Sequence, residues 1–340
     1  MESTLLLAHT EEDGTLAKSA LEALSSALAL GGELTIGLVG QKVQEGADQV
    51  AACGARIMAV AGDAYAQPRY ATDAAAAEAL ARACGAALVL APSTSRWARA
   101  LPGVACRLGG RVDTHATRLA AENGVPAVTR WFYRQRMEAV LTRSQRPWVV
   151  LLESGCEPPW AGAPAAAGSA AVEMVVPADS ATRTTVQGVR TPQTGQQTIR
   201  PDAKLLFVAG AGWTKKQADG AVHATEAAQL ILGFLGTSGA SLGGSKSLVD
   251  LSGEGQAVLP FMTHLNQIGQ TGATPRHPKG LSTCCHGEEP HVVGWRFVNQ
   301  RRAVNLDANC GWARGKADVL YVADAFEVMR QVNRLLESRA

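Results

Sequence analysis

Short apolar runs alternate with longer Ala/Leu-rich stretches from the start of the chain, and this alternation restricts the fold more than any other feature. TLLLA (Thr4–Ala8) leads into TLAKSALEALSSALAL, whose leucines and alanines recur at helical spacing. LTIGLV (Leu34–Val39) follows a Gly-Gly turn, and GADQVAAC comes after it. ARIMAVAG reads as a third strand and ATDAAAAEALARACG as a helix closed by Gly85. AALVLAPS is a fourth strand, followed by the helical RWARALPGVACRLGG. Strand and helix in strict succession indicate a parallel sheet covered by helices on both faces.

From about Asp113 the segments shorten, and VDTHATRLA, AVTRWFYRQ, EAVLTR and PWVVLLES are expected as antiparallel strands added at one edge. After Gly155 the chain turns Pro/Ala/Gly-rich (EPPWAGAPAAAGSAA) and then polar without apolar period (DSATRTTVQGVRTPQTGQQTIRPDA). Residues 156–203 are therefore expected to connect a domain of residues 1–155 to one of residues 204–340, with one strand at VEMVVP. The second domain repeats the alternation. KLLFVAGAG is a strand, TKKQADGAVHATEAAQLILGFLG a long helix closed by Gly236, and AVLPFMTHLNQIG is helical. A strand at GLSTCC, a short helix at EEPHVVGW, strands at RAVNLD and DVLYVAD, and the helix AFEVMRQVNRLLESR complete it. The fold class expected is α/β, two domains, each built on a mostly parallel sheet flanked by helices.

Bulk properties exclude several functions. A chain of 340 residues with 46% hydrophobic and 18% charged residues has the composition of a globular protein with room for two cores. Its 32 basic and 30 acidic residues leave a net charge of +2, too weak a field to point to nucleic acid or an anionic membrane surface. The opening MESTLLLAHTEEDG has no basic flank, so it is expected as a buried strand and not a signal peptide, and no apolar run reaches the ~20 residues of a membrane span. Seven scattered cysteines, an odd number, suit a reducing cytosol better than a disulfide framework, and a cytoplasmic location without membrane insertion is expected.

Chemistry concentrates in QTGATPRHPKGLSTCCHGEEPHVVGW, Gln270–Trp295. A metal centre would draw on Cys284, Cys285, His286, His291 and Cys310, but adjacent cysteines on a strand point to opposite faces and no C-x-x-C spacing supports them. A Cys/His nucleophile weighs no more than that, and a buried small residue is the simpler account of each thiol. No GxxxxGK[ST] segment supports a nucleotide hydrolase or ligase. VTRWFYRQR (Val128–Arg136) is aromatic and basic, yet it falls on an expected edge strand, which favours a core-plus-interface role over base stacking.

A third reading of this stretch is a polar cradle for a cofactor, and it rests on a resemblance to a known family. LLLAHTEEDGTLAKSALEALSSA, LVLAPSTSRWARALPGVACRLGG and VTRWFYRQRMEAVLTRSQRPWVVLLE in the first domain are similar to the alpha subunits of electron transfer flavoproteins. In the second domain the family's Gly-Ala-Ser-Arg appears as GGSK, with Ser245 and Lys246, and its Val-Gly-Gln-Thr-Gly turn as IGQTG, with Gln270, Thr271 and Gly272. Its Gly-x-Ser-Gly-x-x-Gln-His helix start appears as CCHGEEPH, with His286, Gly287 and His291, its Ala-Ile-Asn ends at Asn305 and its Val-Ala-Asp at Asp324. Lys246 replaces an arginine and offers a point charge without a planar fork, His286 replaces a serine, and Trp213 stands near the place of a usual arginine.

The resemblance implies a Rossmann-like (DHS-like) second domain that binds FAD. Gln270, Thr271 and the amides freed by Gly269 and Gly272 would meet the ring near N5, and His291 its pyrimidine edge. His286 and Gly287 would face the pyrophosphate at a helix start. Asn305 and Asp324 would hold the ribose and adenine end, and Ser245 and Lys246 would flank the ring or ribityl chain. Taken singly, Lys246 reads as a solvated charge, and Asn305 and Asp324 as turn or cap residues. The implied function is electron relay without an acid, base or nucleophile of its own. The implied partners are a beta subunit that in this family commonly holds AMP, a flavin-dependent dehydrogenase as donor, and an acceptor such as a quinone oxidoreductase. The alternative is a structural paralogue of that subunit that has lost its flavin.

Overall fold

The computed structural model describes residues 2–122, 124–132, 137–178, 180, 184–188, 199–200, 203–250, 258–268, 277–283, 298–310, 313–314 and 317–338. The chain divides into two compact units, Met1–Val189 and Arg190–Ala340.

In the first unit the expected succession forms as β1 (Thr4–His9), α1 (Lys18–Leu30), β2 (Leu34–Gly40), α2 (Gln44–Val50), β3 (Arg56–Ala61), α3 (Tyr70–Cys84), β4 (Leu88–Pro92) and α4 (Ser95–Arg107). Gly85 ends α3 in the left-handed conformation, with φ 61°. β5 (Arg111–Glu122), β6 (Val125–Phe132), β7 (Met137–Leu141), β8 (Trp148–Leu152) and the two-residue β9 (Glu173–Met174) complete a nine-stranded sheet in the order β7-β6-β5-β8-β4-β1-β2-β3-β9. Side chains alternate across the strands. Leu6 and Ala8 of β1 join Leu24 of α1 and Val50 of α2 on one face, while Leu5 and Leu7 join Leu80 of α3 and Trp97 of α4 on the other. A sheet buried on both sides needs apolar residues at successive positions, which is what TLLLA supplies.

Only part of the expected antiparallel edge forms. β5, β6 and β7 are antiparallel neighbours, but β8 lies inside the sheet, parallel to both β4 and β5. Its run WVVLL is buried at all five positions, the mark of a central strand and not of an edge. Asp113 on β5 ties the addition together. Its buried carboxylate accepts from Trp148 Nε1 (2.9 Å), Arg130 Nη1 (3.0 Å) and Arg143.

The Pro/Ala/Gly-rich segment after Gly155 runs along the first unit through polar bonds. Ser154 Oγ and Gly155 N donate to the buried Glu22 carboxylate on α1 (2.9 and 2.8 Å). Gly168 N and Ala170 N donate to Asp48 on α2 (2.6 and 2.9 Å), and Trp160 N to the Leu21 carbonyl (3.1 Å). The strand expected in VEMVVP is β9, paired in parallel with β3.

The second unit contains β10 (Leu205–Ala209), α5 (Ala224–Ser238), β11 (Ser241–Gly244), α6 (Lys246–Asp250), β12 (His277–Thr283), β13 (Val298–Asn305), β14 (Val319–Val322) and α7 (Ala325–Glu337). All neighbouring strands are parallel, in the order β11-β10-β12-β13-β14. Phe207 and Ala209 pack with α5 and α7 on one face, and Leu206 and Val208 meet Ile268, Val298 and Ala303 on the other.

Two helices expected here differ. α5 starts at Ala224 and not near Thr214, because Asp219 and Gly220 (φ 80°) make a turn in which Ala221 N donates to Asp219 Oδ1 (2.9 Å) and Lys216 pairs with Val222. It runs past Gly236 and ends at Gly239, φ 63°. AVLPFMTHLNQIG forms no α-helix among its described residues, only tight turns at Leu259–Met262 and His264–Asn266, since Pro260 offers no N–H to a helix interior. Among the described residues no helix is long and apolar enough to cross a membrane.

At the end of β1, His9 is largely buried beside Arg96, with its ring 6.2 Å from that of Trp97. Arg96 is itself buried and forks onto Asp73 (2.7 and 3.1 Å). Burial, reinforced by the Arg96 charge and opposed by a hydrogen bond that the ring donates to the Thr10 backbone, lowers the His9 pKa from 6.5 to about 4. Between these values the unfolded chain binds more protons than the folded one, so stability is full above pH 6.5 and falls as pH drops towards 4. Chemical denaturation across this range should show wild type losing up to about 3 kcal/mol more than His9→Gln by pH 4. Parallel pH profiles for the two would remove His9 as the cause.

Candidate functional site

In the strand order of the second unit, the chain turns to opposite sides of β10 when it goes on to β11 and later to β12. The crevice outside the carboxyl ends of β10 and β12 is therefore the switch point, where open α/β sheets take ligands. The described candidate residues lie along this same carboxyl edge.

Ser245 follows the last residue of β11 and is fully buried. Its amide donates to the Ala209 carbonyl at the end of β10 (3.0 Å), and its hydroxyl accepts from Leu248 N (3.3 Å), which caps the short α6. Lys246 is next. Its side chain is 60% exposed and its Nζ stands 3.8 Å from Asp250 one turn on, an ion pair of small weight at the surface.

Gly243 and Gly244 bring another segment against β11. Ile268 N donates to the Gly244 carbonyl (3.1 Å), so the first residue of IGQTG sits at the same edge. A Cβ on Gly243 would stand 2.6 Å from Ile268 Cγ2, and one on Gly244 2.3 Å from Met262 Cε. Gly243 is held to glycine by packing, whereas the flexible end of Met262 can move aside at Gly244. Gln270, Thr271 and Gly272, which follow, lie outside the described residues, as do His286, Gly287 and His291.

Asn305 ends β13 and is 2% exposed. Its Oδ1 accepts from Asp307 N (3.0 Å), and its carbonyl accepts from Ala323 N (3.2 Å), which links it to the end of β14. Asp324 caps α7, with Oδ1 accepting from Phe326 N (2.7 Å) and Glu327 N (3.1 Å). The two residues share a shallow cleft with Gln217, Leu306 and Phe326. The turn and cap roles that each residue suggests singly are thus realised, while the fold brings both to one cleft.

Sequence reasoning passed over Thr283, the last residue of β12. It is fully buried and accepts from Trp213 Nε1 (2.9 Å) while donating to the Val208 carbonyl (3.1 Å). The signal lay in the strand's period of two, which turns Thr283 to the same face as Leu281. Among the described residues no group of three or more His, Cys, Asp or Glu side chains could hold a metal ion. Cys284, Cys285, His286 and His291, the main ligands of the metal alternative, lie outside the described residues.

Residues 4–180, slightly more than half of the chain, match the family model described as electron transfer flavoprotein domain. The match spans most of the first unit and none of the residues at the carboxyl edge of the second. No curated protein matches the chain.

Gly243→Ala should destabilise the second unit by about 1–3 kcal/mol through its clash with Ile268. Urea denaturation followed by far-UV circular dichroism would measure it, and an unchanged midpoint would show that the β11–Ile268 contact yields without cost.

Proposed function

The chain belongs to the electron transfer flavoprotein family, and from that premise we propose that it is an alpha-type subunit that holds FAD at the carboxyl edge of its second unit and relays electrons with a beta subunit. The donor would be a flavin-dependent dehydrogenase and the acceptor a downstream carrier such as a quinone oxidoreductase, in the cytoplasm. The observation that carries this reading is the convergence of Ser245, Ile268, Thr283, Asn305 and Asp324 on one edge of a doubly wound parallel sheet. Gln270–Gly272 follow Ile268, and His286–His291 follow Thr283, within a few residues.

These side chains fit a dinucleotide in their chemistry. Ser245 and Asn305 are neutral polar groups at strand ends, and Asp324 uses Oδ1 for its cap, which leaves Oδ2 for a ribose hydroxyl. Bound FAD would supply the redox centre, a ring system that takes up and releases one or two electrons. Gln270 and Thr271 would donate near its N5, and His291 would supply a donor at the pyrimidine edge, where negative charge gathers on reduction. His286 and Gly287 would hold the pyrophosphate, Asn305 and Asp324 the ribose and adenine end, and Ser245 with Lys246 the ring or ribityl side. No residue of the chain acts as acid, base or nucleophile in this scheme.

A flavin-less structural paralogue is the competing reading. It is favoured by Lys246, whose exposed charge is paired with Asp250. Expression of the full chain with its beta subunit, followed by release and identification of any bound nucleotide, separates the two. FAD in the complex is expected, and a colourless complex that stays so after incubation with FAD would establish the paralogue instead.

Two substitutions probe individual roles. Thr271→Ala should weaken FAD retention about tenfold or shift the flavin's potential, and no change in either would remove Thr271 from the site. Asp324→Asn keeps a good cap, so unfolding should move by less than about 0.5 kcal/mol. The lost charge should still weaken FAD binding by about tenfold or more. Equal affinity would confine Asp324 to its cap.

A further inference from the structure

We infer that Trp213 is a positioning residue for the cofactor edge, its indole N–H setting where β12 ends and its ring setting where α7 begins. The inference rests on the reading that the second unit holds FAD and identifies a residue on which that reading depends.

Trp213 lies in the tight turn Ala211–Thr214 that follows β10, at the switch point itself, and none of it is exposed. A buried indole usually finds an acceptor, and its Nε1 donates to Thr283 Oγ1 (2.9 Å). The Thr283 hydroxyl in turn donates to the Val208 carbonyl (3.1 Å), and the Thr283 carbonyl accepts from Gly210 N (2.8 Å). Three bonds thus fasten the last described residue of β12 to the end of β10 and the turn beyond it. Cys284, Cys285 and His286 are the next residues in the chain, and His286 is one of those read as facing the pyrophosphate.

The indole also packs on Phe326, with ring centroids 4.6 Å apart at 53°. Phe326 N is one of the two amides bound by Asp324, so this contact bears on the start of α7 and on the carboxylate read as the ribose end. One side chain therefore bonds to the end of β12 and packs at the start of α7. A phenylalanine could keep the ring contact but not the bond to Thr283. An arginine could reach a hydroxyl, but in this apolar cluster of Phe207, Phe234 and Phe326 it would bury a charge without a counter-ion among them.

The test compares wild type with Trp213→Phe, Thr283→Val, Thr283→Ser and the Trp213→Phe/Thr283→Val double variant of the full chain, each expressed with its beta subunit. FAD affinity is measured by titration, and unfolding is measured without FAD. Trp213→Phe and Thr283→Val should each bind FAD about tenfold more weakly, the double variant no more weakly than either single one, and Thr283→Ser close to wild type because it keeps the hydroxyl. A merely structural Trp213 would lower the unfolding midpoint and leave the affinity of the folded fraction unchanged. That result overturns the inference, as does additive loss in the double variant. Wild type that binds no FAD would overturn the proposed function along with it, whereas wild type that binds FAD beside an unaffected Trp213→Phe overturns the positioning role alone.

Discussion

Burial of parallel strands on both faces governs this protein from its first strand to its site. Every backbone group in such a strand is satisfied by its neighbours, and successive side chains go to opposite cores, so the middle of the strand favours apolar residues. Leu5, Leu6, Leu7 and Ala8 obey this in β1, as do Leu206, Phe207, Val208 and Ala209 in β10. Polar chemistry is displaced to the strand ends. Ser245, Thr283, Asn305 and Asp324 stand there in the second unit, and His9 holds the equivalent place on β1 in the first.

Where the apolar pattern runs out, buried carboxylates take over as anchors. Asp113 gathers Arg130, Arg143 and Trp148 and so fastens the antiparallel addition to the parallel sheet. Glu22 and Asp48 hold the Pro/Ala/Gly-rich segment through backbone amides, which suits a stretch with few large apolar side chains of its own. Each of these acids is removed from water and is tolerated because N–H or O–H donors meet it. The segment between Gly155 and β9 is thereby ordered by hydrogen bonds more than by a core, which explains why its composition reads as a loose connection.

The turn and cap roles of Asn305 and Asp324 were legible in the sequence, whereas the capping role of Ser245 was not. Ser245 and Asp324 cap α6 and α7, and Asn305 closes a turn with Asp307, tasks that any doubly wound sheet requires at its strand ends. A motif that binds a ligand is built from the residues that also terminate the strands, so local structure and site cannot be separated by pattern alone. Misread elements have similar causes. The run from Thr214 to Gly236 has helical spacing throughout, yet Asp219 and Gly220 turn the chain before Ala224. WVVLL was placed at an edge because it follows the antiparallel segments, although its unbroken apolar character belongs to the centre.

The sequence by itself determined the class of the fold, because burial imposes a period of two on strands and of 3.6 on helices and both repeat within a few residues. It also determined the ends of elements where a glycine must adopt positive φ, as at Gly85. Only the tertiary structure decided that β8 enters between β4 and β5, that Asp113 anchors three distant side chains, and that Trp213 bonds to Thr283. The last pair is separated by 70 residues. Such partners are chosen by packing across the sheet, and no local period records which strand will lie beside which.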